Sequence, residues 1–312
     1  MSEERQLLRQ SVAALVDKHA QPDAVRRAMD SATGYDETLW QMLCDVGAAA
    51  LVVPEEFGGA GGELADAAAV LEELGRALVP TPLLGTTLAE LALLAADHPD
   101  AETLERLAAG AAVGTVVFDR DYVLYGDTAA VVLAAEDGQL VRWTEVSAQP
   151  CHAMDPTRRL ARVAPLGVCV IGADPGIADT AAILLAAEQI GAATRCLELT
   201  VEYTKQRVQF GRPIGSFQAL KHRMADLYVA VESARAVVAE AVADPSAVSA
   251  ALARLAASEA FCTVAGEAIQ LHGGIAITWE HDMHLYFKRA HGSAQLLGAP
   301  RDQLRRLEPE VF

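Results

Sequence analysis

The residues best equipped for chemistry gather where one long helical pattern breaks and another begins. The run Arg207-Val208-Gln209-Phe210-Gly211-Arg212-Pro213-Ile214-Gly215-Ser216-Phe217-Gln218 places Gly and Pro at that break, and both residues end helices. An arginine projected from a helix end, Arg207, offers a planar fork of donors that matches a pyrophosphate. Phe210 offers an apolar face for a ring, and Gln218, on the first turn of the next helix, offers an amide. Farther on, Gly273 and Gly274 let the backbone approach a dinucleotide closely. Taken singly, each has a plainer reading: a surface arginine, a core phenylalanine, a helix stop. His281 and His284 stand at i, i+3 near His272. With no third ligand near them, they read as ordinary surface or interface histidines rather than a metal site.

These residues need elements to hold them. Apolar positions Leu7, Leu8, Val12, Leu15 and Val16 fall three and four apart, which predicts a helix over 3–20. Further helices are expected over 37–46, 64–78, 86–96 and 102–109, with a glycine-rich loop at Pro54-Glu55-Glu56-Phe57-Gly58-Gly59-Ala60-Gly61-Gly62. From about residue 112 the pattern changes. VGTVVF, AAVVLAA, QLVRWTEV, LARVAP and GVCVIG are short and rich in Val, and they read as strands. Met154-Asp155-Pro156-Thr157-Arg158-Arg159 reads as a surface turn among them. Helical spacing returns after Pro175, with Asp179 and Ser216 as expected caps and long helices over 179–206, 217–243 and 245–271. Two shorter helices are expected near 282–291 and 300–307. The expected fold is mainly α with a small β unit. An N-terminal helical domain spans 1–111, a reduced β-domain 112–174, and an antiparallel four-helix bundle 175–312.

Composition narrows the function. The 312 residues carry 25 Lys+Arg against 42 Asp+Glu, a formal charge of −17, which repels phosphate backbones and excludes a nucleic-acid binder. The chain is 52% apolar with only 5% aromatic residues, so Ala, Leu and Val dominate and helices are favoured. The start of the chain shows no basic stretch followed by an apolar one, and no uninterrupted apolar run reaches membrane-spanning length. Five scattered cysteines without a CxxC pair read as reduced thiols of a cytoplasmic protein.

Three segments together resemble the acyl-CoA dehydrogenase family: Pro54 to Gly61; Arg207 to Gln218 followed by Met224-Ala225-Asp226; and Gln270-Leu271-His272-Gly273-Gly274. They fall in the family's order, on either side of a β unit. The resemblance implies an FAD whose pyrophosphate and adenosine half is held across a subunit interface by Arg207, Gln209, Phe210, Phe217, Gln218, Gln270, Gly273 and Gly274. It also implies a glutamate base in one of two places. One aligns with Leu297, in Leu296-Leu297-Gly298-Ala299; the other aligns with Ala181, in Asp179-Thr180-Ala181-Ala182. Neither side chain accepts a proton. The CoA-contacting arginine and the flavin-holding threonine of the family fall on Ala182 and Ala299. No counterpart of the family's flavin-ring loop, Thr-Glu-Pro-x-Ala-Gly-Ser-Asp, occurs between residues 100 and 175.

The departures imply a subunit without its own catalytic residues. It resembles the truncated members of heteromeric actinobacterial acyl-CoA dehydrogenases of steroid side-chain degradation. It would share FAD with a homologous catalytic partner, two copies of each, on a bulky CoA ester. Two other readings stand beside it: an autonomous flavoenzyme with a relocated base, for which Glu188 and Glu280 are the carboxylates to test, and a flavin-free scaffold.

Overall fold

A computed structural model describes residues 3–311, with side chains from 3 to 308. Six helices come first: α1 (Glu3–His19), α2 (Pro22–Met29), α3 (Glu37–Asp45), α4 (Leu64–Arg76), α5 (Leu83–Leu94) and α6 (Ala101–Ala108). Helix α2 was not expected. Its sequence, PDAVRRAM, is too short for periodicity to stand out, and Pro at its first position, where no N–H is needed, starts it. Asp36 and Asp100 cap α3 and α6 by accepting backbone N–H bonds. The glycine-rich loop contains one short 3-10 turn, Glu55–Phe57.

Five strands follow: β1 (Gly114–Val117), β2 (Val123–Leu124), β3 (Val131–Glu136), β4 (Gln139–Cys151) and β5 (Leu160–Ala173). They form one sheet in the order β1-β3-β4-β5-β2, parallel between β1 and β3 and antiparallel elsewhere. The two expected strands LARVAP and GVCVIG are a single strand. Pro165 does not break it, because β2 reaches only Ala161 on that edge and no ladder bond is lost there. β4 absorbs the irregularity through register shifts around Glu145.

The bundle holds α7 (Ile177–Gln206), α8 (Gln218–Ala243), α9 (Ala247–His272), α10 (Met283–Gln295) and α11 (Pro300–Val311). Neither expected cap holds. Asp174 accepts from the N–H groups of Gly176 and Ile177 at 3.0 Å, so α7 begins earlier and Asp179 instead pairs with Arg306. The Ser216 hydroxyl donates to the Pro213 carbonyl at 2.6 Å, leaving Phe217 as the extended residue ahead of α8. Ser246 caps α9 by accepting from Ser249 N.

One apolar core joins the N-terminal helices to α7 and the inner face of the sheet, through Leu43, Leu74, Leu88, Leu133 and Leu184. A second lies within the bundle around Phe261, Val264 and Tyr286. Helices α4 and α7 meet through glycine. A Cβ on Gly191 would run into the Glu72 carbonyl, and one on Gly75 into the Glu188 carbonyl. The stretch Ala247–Ile277 is long and apolar enough to cross a membrane by length and composition, which the search for an uninterrupted apolar run missed. Within the bundle, Ala250, Ala253, Ala257 and Phe261 of this stretch are buried.

Candidate functional site

The break after α7 is a miniature hairpin. Val208–Gln209 pairs with Arg212–Pro213, and Phe210 (φ 54°) and Gly211 (φ 73°) make the turn. Both central residues have positive φ, as in the type I′ turn that suits tight hairpins. For Phe this is a strained position. The strain presents the ring outward: Phe210 is 91% exposed, which overturns its plainer reading as a core residue. Its ring meets Phe217 edge-on at 6.1 Å, and the Arg212 guanidinium lies 3.9 Å over the Phe217 ring. The Gln209 amide turns back to donate to the Val208 carbonyl at 2.9 Å.

The other sequence-derived residues stand at the same end of the bundle. Tyr203, one turn before Arg207, stacks on His272 at 4.2 Å and donates to its carbonyl at 3.2 Å. That contact ties the end of α7 to the Gly273 turn. Gly273 has φ 69°, and a Cβ on Gly273 or Gly274 would meet nothing within 4 Å. Arg207, Gln218 and Gln270 are exposed, and among the described residues their side chains have no hydrogen-bond or ion-pair partner. A free guanidinium, two free amides, two aromatic rings and an open glycine turn fit the diphosphate and adenosine half of a dinucleotide. Val208, Ile275, Ile277 and Trp279 lie near these residues in the chain and are exposed, as are Tyr228 and Val229 farther along α8.

Two of the three histidines lie deeper than a surface reading expects, and the third is half-buried. His272 and His284 are buried, and His281 packs on His272 at 4.7 Å. Burial lowers the His284 pKa to about 4, helped by Lys288 and Arg26. Among the described residues, no group of three His, Cys, Asp or Glu is arranged to hold a metal.

The second base position, Ala181, is enclosed in the core together with Ala182. Leu297 lies elsewhere, on the wall of a cavity of about 520 Å³ between α5, β1, residues 152–155 and the start of α11. The loop that carries it is firmly held. Leu297 has φ 60° and Gly298 φ 100°, and Arg254 donates to the carbonyls of Ser293 and Leu296, the latter at 2.7 Å. Arg254 is buried with no carboxylate partner. Burial, and after it the nearby Arg158, lowers its pKa to about 10. Ala299 donates its N–H to Asp302 at 3.1 Å.

Between this cavity and the bundle lies a charged network the sequence did not reveal. The expected surface turn at 154–159 is half wrong: Met154 is exposed, but Asp155, Thr157 and Arg158 are buried. Asp155 opens the turn, accepting from Thr157 N at 3.0 Å. Glu188 accepts from Arg158 and Arg289 at 2.6 Å each. Arg289 also reaches Asp155 at 3.0 Å and the Thr157 hydroxyl at 2.8 Å. Burial opposes ionisation of Glu188, but the two guanidiniums prevail and hold its pKa below the usual value. Glu188 is therefore an ion-paired carboxylate beside a cleft of only about 10 Å³, with no room to act as a relocated base. Glu280 is exposed. The available signal was the run Asp155-Pro156-Thr157-Arg158-Arg159, which reads equally well as a surface turn.

Comparison with known proteins agrees with this geometry. The acyl-CoA dehydrogenase N-terminal domain matches residues 2–111 and the C-terminal domain of the same family matches 178–306. Acyl-CoA dehydrogenase IpdE2 of Mycobacterium tuberculosis is 72% identical over 311 residues, covering 99% of this chain and 98% of that protein. The Tcur3481-Tcur3483 steroid ACAD superposes with a TM-score of 0.91 at 27% identity, covering 98% of this chain and 97% of that one. The ChsE4-ChsE5 complex from Mycobacterium tuberculosis gives 0.90 at 26%, covering 100% and 98%. With both terminal domains matched and near-complete alignment to a named relative, the chain belongs to the acyl-CoA dehydrogenase family.

Proposed function

We propose that this chain is the non-catalytic subunit of a heteromeric FAD-dependent acyl-CoA dehydrogenase, completing the cofactor site of a homologous catalytic partner. Members of the family bind FAD. When bound, FAD supplies the hydride acceptor for α,β-dehydrogenation of an acyl-CoA thioester. Arg207 would hold the diphosphate with its free guanidinium. Phe210, Phe217, Gln218 and Gln270 would bind the adenosine half, with Gln209 beside them. Gly273 and Gly274 would let the backbone come close. The fit stops there. Nothing in 112–174 offers a flavin-ring loop, and the hydroxyl of Thr115, at the cavity, is already engaged by the Leu124 carbonyl.

The observation that carries the proposal is the pairing of an exposed, unpartnered half-site with Leu297 where a base would stand. The exposed apolar residues beside the half-site support a protein partner, since contiguous apolar surface marks interaction sites. The two structural neighbours named above are heteromeric by their descriptions, and one is a steroid enzyme. That supports a two-component assembly, which we take to hold two copies of each chain, and a bulky, steroid-derived CoA ester as the partner's substrate.

Co-expression with a full-length homologue from the same genome tests it. The expected outcome is a copurifying complex with flavin absorbance and dehydrogenase turnover, both lacking in this chain alone. A lone chain that binds FAD fully and oxidises acyl-CoA contradicts the proposal.

A further inference from the structure

The cavity lined by Leu297 lies where the missing base would stand, and the proposed cofactor half-site makes no use of it. At about 520 Å³ it falls within the range of small-molecule sites. Its inner wall is hydrocarbon, from Leu88, Val116, Leu124, Leu160, Leu296 and Leu297. Polar groups sit among and around these, with Tyr122, His152 and Gln295 able to face a ligand.

Charge decides what the cavity admits. Its ionisable lining is Asp119, Asp155, Asp302, His152, Tyr122 and a single cation, Arg158. Arg158 is already committed to Glu188 at 2.6 Å and to the Ser293 hydroxyl at 3.2 Å. Asp155 is likewise committed to Arg289. Among the described residues, the lining offers no guanidinium free of a carboxylate to receive a second anion; Asp302 is itself offset by Arg301 and Arg305, and Asp119 would repel a carboxylate or a phosphate. A CoA thioester, with its phosphates, is the wrong ligand for this lining.

The walls are also built to stay apart. Leu297 keeps a left-handed backbone that an L-residue adopts only under strain, and the buried Arg254 donates to the carbonyls of Ser293 and Leu296 just before it, as well as to Gln189 and Ser258. An apolar space left empty lowers stability in proportion to its volume.

We propose that this cavity binds an uncharged, compact hydrophobic molecule, with at most a hydroxyl or keto group facing Tyr122, His152 or Gln295. The site belongs to this chain alone and depends on neither flavin nor partner.

The test uses the full chain without a partner and the uncharged fluorophore N-phenyl-1-naphthylamine, with octanoyl-CoA and dodecanoate as anionic competitors. The expected result is saturable fluorescence and a raised Tm, with neither anion competing at similar concentration. Leu297→Trp, which fills the space, should weaken binding at least tenfold. Leu297→Glu, which adds a charge to the wall, should weaken it similarly while leaving the Tm near wild type, so the result stands even if the Trp variant folds poorly. The proposal is overturned if the probe does not saturate, if Leu297→Glu binds it as wild type does, or if octanoyl-CoA competes on equal terms.

Discussion

Glu90 is a carboxyl with no place for a charge. It is fully buried on α5, neither oxygen has a hydrogen-bond partner, and burial pushes its pKa well above 4.5. The native state therefore holds a proton that the unfolded chain releases near the ordinary value. Stability from this group is complete below about pH 4.5 and falls as pH rises through the folded pKa. Glu90→Gln should flatten that decline, so urea melts across the range should show the variant losing less stability toward alkaline pH than the wild type. Arg207 is the opposite case, an exposed charge with no partner. Arg207→Ala should lower the flavin affinity of the assembled complex about tenfold, as for a lost hydrogen bond to a charged group, measured by flavin retained on dilution. Unchanged retention would favour a flavin-free scaffold. The motifs single out Arg207, Gln218 and the Gly273 turn in the sequence, and the fold leaves all three exposed; their chemistry belongs to the proposed function. Glu188 reads in the sequence as a carboxylate that is either solvated or ion-paired, because Arg158 and Arg289 lie 30 and 101 residues away, a pairing that only the folded chain defines.

Elements were legible where periodicity ran long enough. Helices α1, α4 and α7 to α9 follow from apolar spacing, whereas α2 is eight residues long and depends on packing more than on pattern. The sequence divides β5 at Pro165, because it does not reveal that β2 pairs only with Leu160 and Ala161 and leaves Pro165 without a strand partner on that flank. The glycine contact between α4 and α7 makes its own prediction. Gly191→Ala would force a methyl against the Glu72 carbonyl and part the two helices, at about 1–3 kcal/mol as for overpacked cores, measured by chemical denaturation. The charged network makes another. Glu188→Gln would leave two buried guanidiniums undercompensated and should destabilise the chain by about 3–5 kcal/mol, read from the same melts. A variant as stable as wild type would mean that the 155–158 segment is held by packing alone.

At the scale of the whole molecule, the helical regions match the family over 2–111 and 178–306, while the β unit is a single five-stranded sheet that bears no recognisable flavin-ring loop. Acyl-CoA dehydrogenase FadE27, 28% identical, aligns over 369 positions to 96% of these 312 residues, so that relative carries stretches this chain lacks. On the proposed reading, the matched helical regions are what a partner's cofactor would meet, and a cofactor site of this chain's own would need a larger β unit. The most direct test is the number of flavins per chain in the purified two-subunit assembly. One flavin for each pair of unlike chains is the predicted result; one flavin for every chain would contradict the account.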